Sequence, residues 1–294
     1  MMDLQRTIKR IIYFNGVGLH TGEKVWIRVH PSDACTGIVL KRVDIASFPI
    51  SATIENVVDS RYATVLGVDG VTVFTVEHLL AALYGMGIDN AFIEVHGPEI
   101  PAMDGSAQDF VEGILDAGTS DLIAQKQIIA PVYPIEYSDD GRKIILSPEN
   151  LLEIDYTINF NNPGIGRQQK LFALTPESFR KEIASARTFG FLSEVNMLKQ
   201  MGLAKGGSTS SAIVVGEFGV LNNDGLRFED EFVRHKILDL IGDLSLLGSH
   251  LWGRIVVEKG GHMLNHTFVK EVLSRMPQTS QYFSDKSQKA YVNQ

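Results

Sequence analysis

Residues 6–40 alternate apolar and polar positions and read as strands: TIKRIIYF, a turn NGVGLHTG, then KVWIRVHP with Val25, Ile27 and Val29 on one face. The turn glycines Gly16, Gly18 and Gly22 permit positive φ or the close approach of another backbone. ISATIENVV and YATVLGVDGVTVF keep the period of two, the latter as a hairpin across Asp69-Gly70. The period then lengthens. TVEHLLAALYGMG is apolar nearly all round and predicts a buried helix, with Thr75 as its cap and Glu77 and His78 in its first turn. NAFIEVHG returns to a strand, and 98–118 predict a proline-stiffened loop followed by a helix capped by Ser106 or Asp104.

From 116 to 130 the chain turns polar and loses its periodicity, which predicts a linker. Residues 134–160 read as strand, turn at Asp139-Asp140-Gly141, strand and strand. A helix at 176–184, a loop or strand SARTFGF, a helix SEVNMLKQMG and a tight turn in LAKGGSTSSAIVV follow. Residues 232–243 (FVRHKILDLIGD) are helical, and 252–273 give a strand, a glycine turn carrying His262 and a helix. The second half restarts the strand-then-helix order of the first without a residue-level repeat. The expectation is an α+β protein of two domains, 1–120 and 132–276, joined by 121–131 and ending in a polar, loosely held tail at 277–294.

A chain of 294 residues, 44% hydrophobic and 21% charged, can bury a sizeable core. No apolar run nears the ~18 residues of a membrane helix. The opening MMDLQRTIKRIIYF breaks at Asn15-Gly16 without the apolar region of an export signal. No integral membrane association and a cytoplasmic location are expected. The formal charge of -8 argues against broad nucleic-acid binding. A single cysteine, Cys35, excludes an internal disulfide and a thiolate cage, so any bound metal must use His and carboxylate ligands.

The chemistry gathers around 232–243. His235 and Asp239 lie four apart, one above the other on a helix face, with Asp243 one turn on and Gly242 leaving room for another segment. Two metal ligands with Asp243 behind them is one reading; an amphipathic helix with solvated charges is the other. Glu77 beside His78 at the entrance of an apolar helix is either functional or a favourable acid at the positive helix end. His20 in its glycine turn is a turn residue or lines a site. Of the other histidines, His262 follows a glycine pair, whereas His30, His96, His250 and His266 have ordinary strand or helix surroundings. Residues 206–211 (GGSTSS) resemble a phosphate cradle but lack GxxxxGK[ST]. A small-molecule kinase holding ATP there, or a non-catalytic sugar-nucleotide binder, are the competing readings.

GVGLHTG, TVEHLLAAL, GIDN, EIPAMDGSA, ARTFGF, GLRFEDEFVRHKILDLIGDL and the GH before MLN together resemble the bacterial UDP-3-O-acyl-N-acetylglucosamine deacetylases, zinc enzymes of lipid A biosynthesis. The resemblance runs from about Arg6 to about Leu273 in the family's order. It implies two similar domains, each a mixed or antiparallel sheet packed on helices, with the helices sandwiched between the sheets and the site at the interface. It implies His78, His235 and Asp239 as ligands of one Zn2+ (or Fe2+), Glu77 as general base, and His262 as cation or general acid served by Asp243. Thr188 would be a donor to the tetrahedral oxygen, and Phe160, Phe189, Lys236 and His20 substrate contacts. The implied partner is an acylated UDP-sugar, acted on by a monomer. An apolar passage for the acyl chain would form after ARTFGF, where Val195, Leu198, Met201 and Leu203 are candidate lining or core. Lys205, Arg61 and Tyr62 depart from the apolar character expected there.

Overall fold

The computed structural model describes residues 4–282, with side chains through Arg275. Two five-stranded sheets share one plan. In the first, Ile12–Val17, Lys24–Pro31, Ala91–His96, Ile38–Arg42 and Ile50–Ser51 lie side by side in that order. The second places Ile135–Asp139, Arg142–Ser147, Gly253–Glu258, Leu152–Asn159 and Arg167–Ala173 likewise. In both, the strand latest in the chain is inserted at the centre and makes the one parallel pairing, with the third strand in sequence. All other pairs are antiparallel. The halves therefore repeat a topology that their residues do not reveal.

Each half also makes an excursion before its central strand. The first carries Val57–Asp59, Val65–Val68 and Val71–Val73, then helix α1 (Glu77–Gly85); α2 (Gln108–Ala117) follows the central strand. The second carries α3 (Pro176–Ser178), Phe189–Phe191, α4 (Leu192–Gln200) and Ile213–Val215, then α5 (Glu231–Leu244), with α6 (His262–Thr279) after its central strand. Helices α1 and α5 thus hold equivalent places and pack on one another between the sheets, flanked by α2 and α6. All nine residues of α1 are buried, as its all-round apolar pattern predicts.

The α1–α5 approach depends on Gly242. A Cβ at that position would stand 2.2 Å from the carbonyl oxygen of Glu77, so only glycine lets the two backbones meet there. Buried residues of both halves join in one continuous apolar core, which includes Leu79, Leu80 and Leu83 of α1 and Ile237, Leu240, Ile241 and Leu244 of α5.

Several expectations shift. The Asp69-Gly70 turn is present, with φ of 52° and 80°. Thr75 does not cap α1: it sits at φ 58° and turns its hydroxyl to Glu99 instead. Ser106 accepts the Gln108 N–H at the start of α2 while bonding to Asp104. The polar segment expected to be a linker is largely strand, because Thr119–Gln125 pairs antiparallel with Leu4–Ile8 and hides its register in polar residues. Ile128–Pro131 pairs with His250–Leu251 and Ser280–Tyr282. Of the tail, 277–279 close α6 and 280–282 form that strand; 283–294 lie outside the described residues. Among the described residues no helix is long and apolar enough to cross a membrane.

Candidate metal centre

His78 lies on the first turn of α1, and His235 and Asp239 on successive turns of α5. One ligand atom from each lies within 4.8 Å of the other two, and all three residues are buried. The Nε2 atoms of His78 and His235 stand 3.7 and 3.3 Å from Asp239 Oδ1. The two rings meet at 86° with centroids 5.0 Å apart, so their edges converge rather than stack.

The donor chemistry is that of a metal site. Asp239 Oδ1 is buried with no hydrogen-bond partner, a costly state unless a cation occupies the space it faces. Its other oxygen accepts from Lys236 Nζ at 2.8 Å. His235 Nδ1 lies 3.0 Å from the Ala186 carbonyl, which makes Nδ1 the donor and leaves the Nε2 lone pair directed inward. Burial, the largest influence, pushes His235 down to about 3, and Asp239 does not reverse it, so the imidazole is neutral at neutral pH. Asp239 itself stays ionised: burial opposes its charge, but His235, Lys236, His78 and His262 hold its carboxyl well below the usual range. Two imidazoles and one carboxylate with an open side suit Zn2+ at a catalytic site and also accommodate Fe2+.

Beside these ligands are Glu77 and His262. His262 Nε2 is 3.8 Å from Glu77 Oε1 and 4.0 Å from Asp239 Oδ2. Its Nδ1 lies 2.8 Å from Asp243 Oδ2. Burial opposes charging of His262, but Asp243, Asp239 and Glu77 outweigh it and raise the imidazole to about 10. Burial pushes the Glu77 carboxyl up, against the attraction of His262 and His78.

Asp243, completely buried, gathers donors from four residues: Thr64, His262, Asn265 and His266. Burial opposes its charge, yet the two imidazoles hold it strongly ionised. Asp243, His262 and His266 also cluster closely enough to suggest a metal, but their facing atoms are already spent on one another and on Thr64. Theirs is a hydrogen-bonded network.

The remaining sequence-derived candidates lie around this centre. Lys236 stands 5.4 Å over the Phe189 ring, and Phe189 meets Phe160 edge-on at 5.7 Å. Thr188 is fixed by backbone bonds to Gly105 and Ile213, and among the described residues its hydroxyl has no protein partner. His20 is buried, with an unpartnered Nδ1, and its turn is held by Glu99, which accepts the N–H groups of His20 and Thr21. His20 is lowered by burial, and further by His78 and His262, against Glu99.

Residues 206–211 are no phosphate cradle. The N–H groups of Gly206, Gly207, Ser208 and Ser211, like that of Lys205, are taken by protein acceptors. The loop instead closes on the His20 turn, where a Cβ on Gly206 would stand 2.1 Å from the Gly18 carbonyl oxygen.

Thr64, Asn265 and His266 escaped the sequence reading, and His266 in particular is not an ordinary helix residue. Its spacing of four from His262 was the available signal. Nothing local marks Thr64, which lies 13 residues before Glu77 and 179 before Asp243. Arg187 and Glu231 were also missed: a buried guanidinium clamps ARTFGF to the start of α5, with Nε 2.9 Å from Glu231 Oε1.

A family model described as UDP-3-O-acyl N-acetylglycosamine deacetylase matches residues 5–274. A UDP-3-O-acyl-N-acetylglucosamine deacetylase from Geotalea uraniireducens (strain Rf4) is 44% identical over 275 residues, 93% of this chain and 90% of that protein. Proteins of the same description from Myxococcus xanthus (strain DK1622) and Legionella pneumophila (strain Corby) are 48% and 47% identical. They cover 92% and 93% of this chain, and 86% and 91% of their own lengths.

Proposed function

Because the chain belongs to the UDP-3-O-acyl-N-acetylglucosamine deacetylase family, we infer that it hydrolyses the N-acetyl amide of UDP-3-O-acyl-N-acetylglucosamine. Water and the amide give acetate and UDP-3-O-acyl-glucosamine, the committed step of lipid A biosynthesis. The enzyme is a metal-dependent hydrolase using Zn2+, with Fe2+ compatible with the same ligands. The observation that carries the reading is the unpartnered Asp239 Oδ1 facing two imidazole nitrogens, with Glu77 and His262 alongside.

His78, His235 and Asp239 would hold the ion. Bound there, zinc lowers the pKa of water to about 7 and polarises the amide carbonyl. Glu77 Oε1 takes the proton from the attacking water, and burial, which raises its carboxyl above the usual range, makes it a stronger base for that task. His262, kept cationic by Asp243, gives its Nε2 proton to the departing amine nitrogen. Thr188, with its hydroxyl uncommitted, donates to the oxygen on which charge develops.

Phe160, Phe189 and Lys236 form an aromatic and cationic ledge for the nucleotide-sugar, and His20 borders the reacting end. Helix α4 buries no residue; Val195, Leu198 and Leu203 are half-buried and Met201 is 51% exposed, an apolar surface suited to an acyl chain. The division into domains 1–120 and 132–276 is supported by each half having its own sheet. A monomer without nucleic-acid partners completes the reading, the latter supported by the charge of -8.

The test is metal content with acetate release, comparing parent and Glu77→Ala. Bound zinc with lost turnover is expected. A metal-free preparation that stays active, or an unaffected Glu77→Ala, overturns the mechanism.

A further inference from the structure

Each of the three hydrogen-bonding groups of Thr64 is committed to a different part of the centre. Its N–H donates to Glu77 Oε2 at 3.0 Å. Its carbonyl accepts the N–H of Val76, the residue that opens α1, at 3.2 Å. Its hydroxyl donates to Asp243 Oδ1 at 2.6 Å. The residue is fully buried and immediately precedes the strand Val65–Val68, which pairs with Val71–Val73.

A carboxylate has two equivalent oxygens, and rotation about its last side-chain bond exchanges them. Thr64 restrains that freedom on both sides of His262, at Asp243 together with His266 on Oδ1 and Asn265 on Oδ2. With Glu77 Oε2 held by the N–H, Oε1 is the oxygen left facing His262 Nε2 at 3.8 Å. With Asp243 Oδ1 held by the hydroxyl, Oδ2 is left to receive the His262 Nδ1 proton at 2.8 Å. The hydroxyl has only one proton, and the shortest contact assigns it to Asp243. Its lone pairs then face His266 Nε2 at 3.0 Å and His262 Nδ1 at 3.3 Å. Glu77 comes from α1 in the first half and Asp243 from α5 in the second, so one residue orients groups from both.

We infer that Thr64 is a positioning residue for deacetylation, which selects Glu77 Oε1 as the working base oxygen and sets Asp243 to orient His262. The inference rests on the roles given above to Glu77 and His262.

Thr64→Val keeps the side-chain shape and both main-chain bonds and deletes only the hydroxyl; Thr64→Ser keeps the hydroxyl. In the zinc-loaded enzyme, Thr64→Val is expected to lower kcat by about tenfold or more, the usual scale for a lost orienting partner. KM and zinc per chain should stay within about twofold of the parent, and Thr64→Ser should recover most of kcat. Thr64→Ala, which removes the hydroxyl with less bulk, should lose kcat to a similar extent. Asp243→Asn with Thr64→Val should be no slower than Asp243→Asn alone, since both act through one carboxylate. A parental kcat in Thr64→Val, losses that multiply in the double variant, a loss matched by zinc loss, or one that serine does not recover would each overturn the inference. Glu77→Ala run in parallel separates the two ideas: if it retains activity the base assignment fails, and if it is inactive while Thr64→Val is parental, only the inference about Thr64 fails.

Discussion

Gly242→Ala measures how far the chemistry depends on the distance between two helices. On an isolated helix the change would stabilise by about 1 kcal/mol, because alanine is the better helix former. Here the new Cβ would lie 2.2 Å from the Glu77 carbonyl oxygen, 2.9 Å from its carbon and 3.1 Å from its Cα. All three are backbone atoms, so no side chain can rotate away. Reaching an ordinary contact of about 3.5 Å requires α1 to retreat by about 1 Å. Overpacking of this kind costs about 1–3 kcal/mol, which the helix-propensity gain partly offsets. The retreat carries Glu77 and His78 away from His235 and Asp239, and a 1 Å misplacement can cost about a hundredfold in rate. Expected, then, are a net stability loss of at most about 2 kcal/mol by urea denaturation, weaker zinc retention against a chelator, and turnover down about a hundredfold. Gly113→Ala on α2 is the control. Its Cβ would press on Phe14 at 2.5 Å and Ile12 at 2.9 Å, side chains away from the site, so stability should fall with activity kept. A Gly242→Ala enzyme stabilised by about 1 kcal/mol and turning over within about threefold of the parent would refute the reasoning.

Glu231→Ala leaves the Arg187 guanidinium, 3% exposed, without its buried carboxylate and with the exposed Asp224 and the Gly225 carbonyl as remaining partners, and should cost about 2–3 kcal/mol of unfolding free energy in urea; a loss below about 1 kcal/mol would mean that Asp224 and Gly225 suffice. The Arg42 hydrogen bonds hold the Asp44 carboxyl down at about 2, against burial. Since that value lies below the unfolded one, the pair stabilises the fold above about pH 4 and loses this as pH falls toward 2, by about 1 kcal/mol once solvent screening of the exposed Asp44 is allowed for. Unfolding free energies of parent and Asp44→Asn from urea titrations should differ by that amount at pH 7 and converge as pH falls to about 2; a gap independent of pH counts against it. Removing zinc with a chelator should lower the calorimetric Tm and readdition restore it, by about 4 kcal/mol of linked stability at a thousandfold excess over Kd. An unchanged Tm would remove His78, His235 and Asp239 as the site.

How much of this was legible in the chain follows from range. His235, Asp239, Asp243 and Gly242 share one helix, so spacing alone placed three polar groups near one face beside a residue with no side chain. Glu77 and His78 were legible as an anomaly, a charged pair opening an apolar helix. Thr64 was not, because its significance is a contact with Asp243 across 179 residues of sequence. His266 was passed over because its neighbours are those of an ordinary amphipathic helix, although its spacing from His262 was visible. The strand Thr119–Gln125 was hidden by exposure: it covers no core, so its side chains show no apolar alternation. The duplicated sheet order shows only in which strands pair, a property that no single segment carries.

The entry and exit strands of each half pair with one another. Leu4 lies opposite Gln125, and Ile129 opposite Tyr282, with Lys126 and Gln127 between the two ladders. Each half is therefore a loop that leaves where it entered, and both seams stand at one place. The order in which the halves are threaded is then arbitrary as far as the site is concerned. A circularly permuted chain, beginning near residue 128, passing from 282 to 4 through a short linker and ending near 125, would present the same faces of α1 and α5 to each other and the same ligands to the ion.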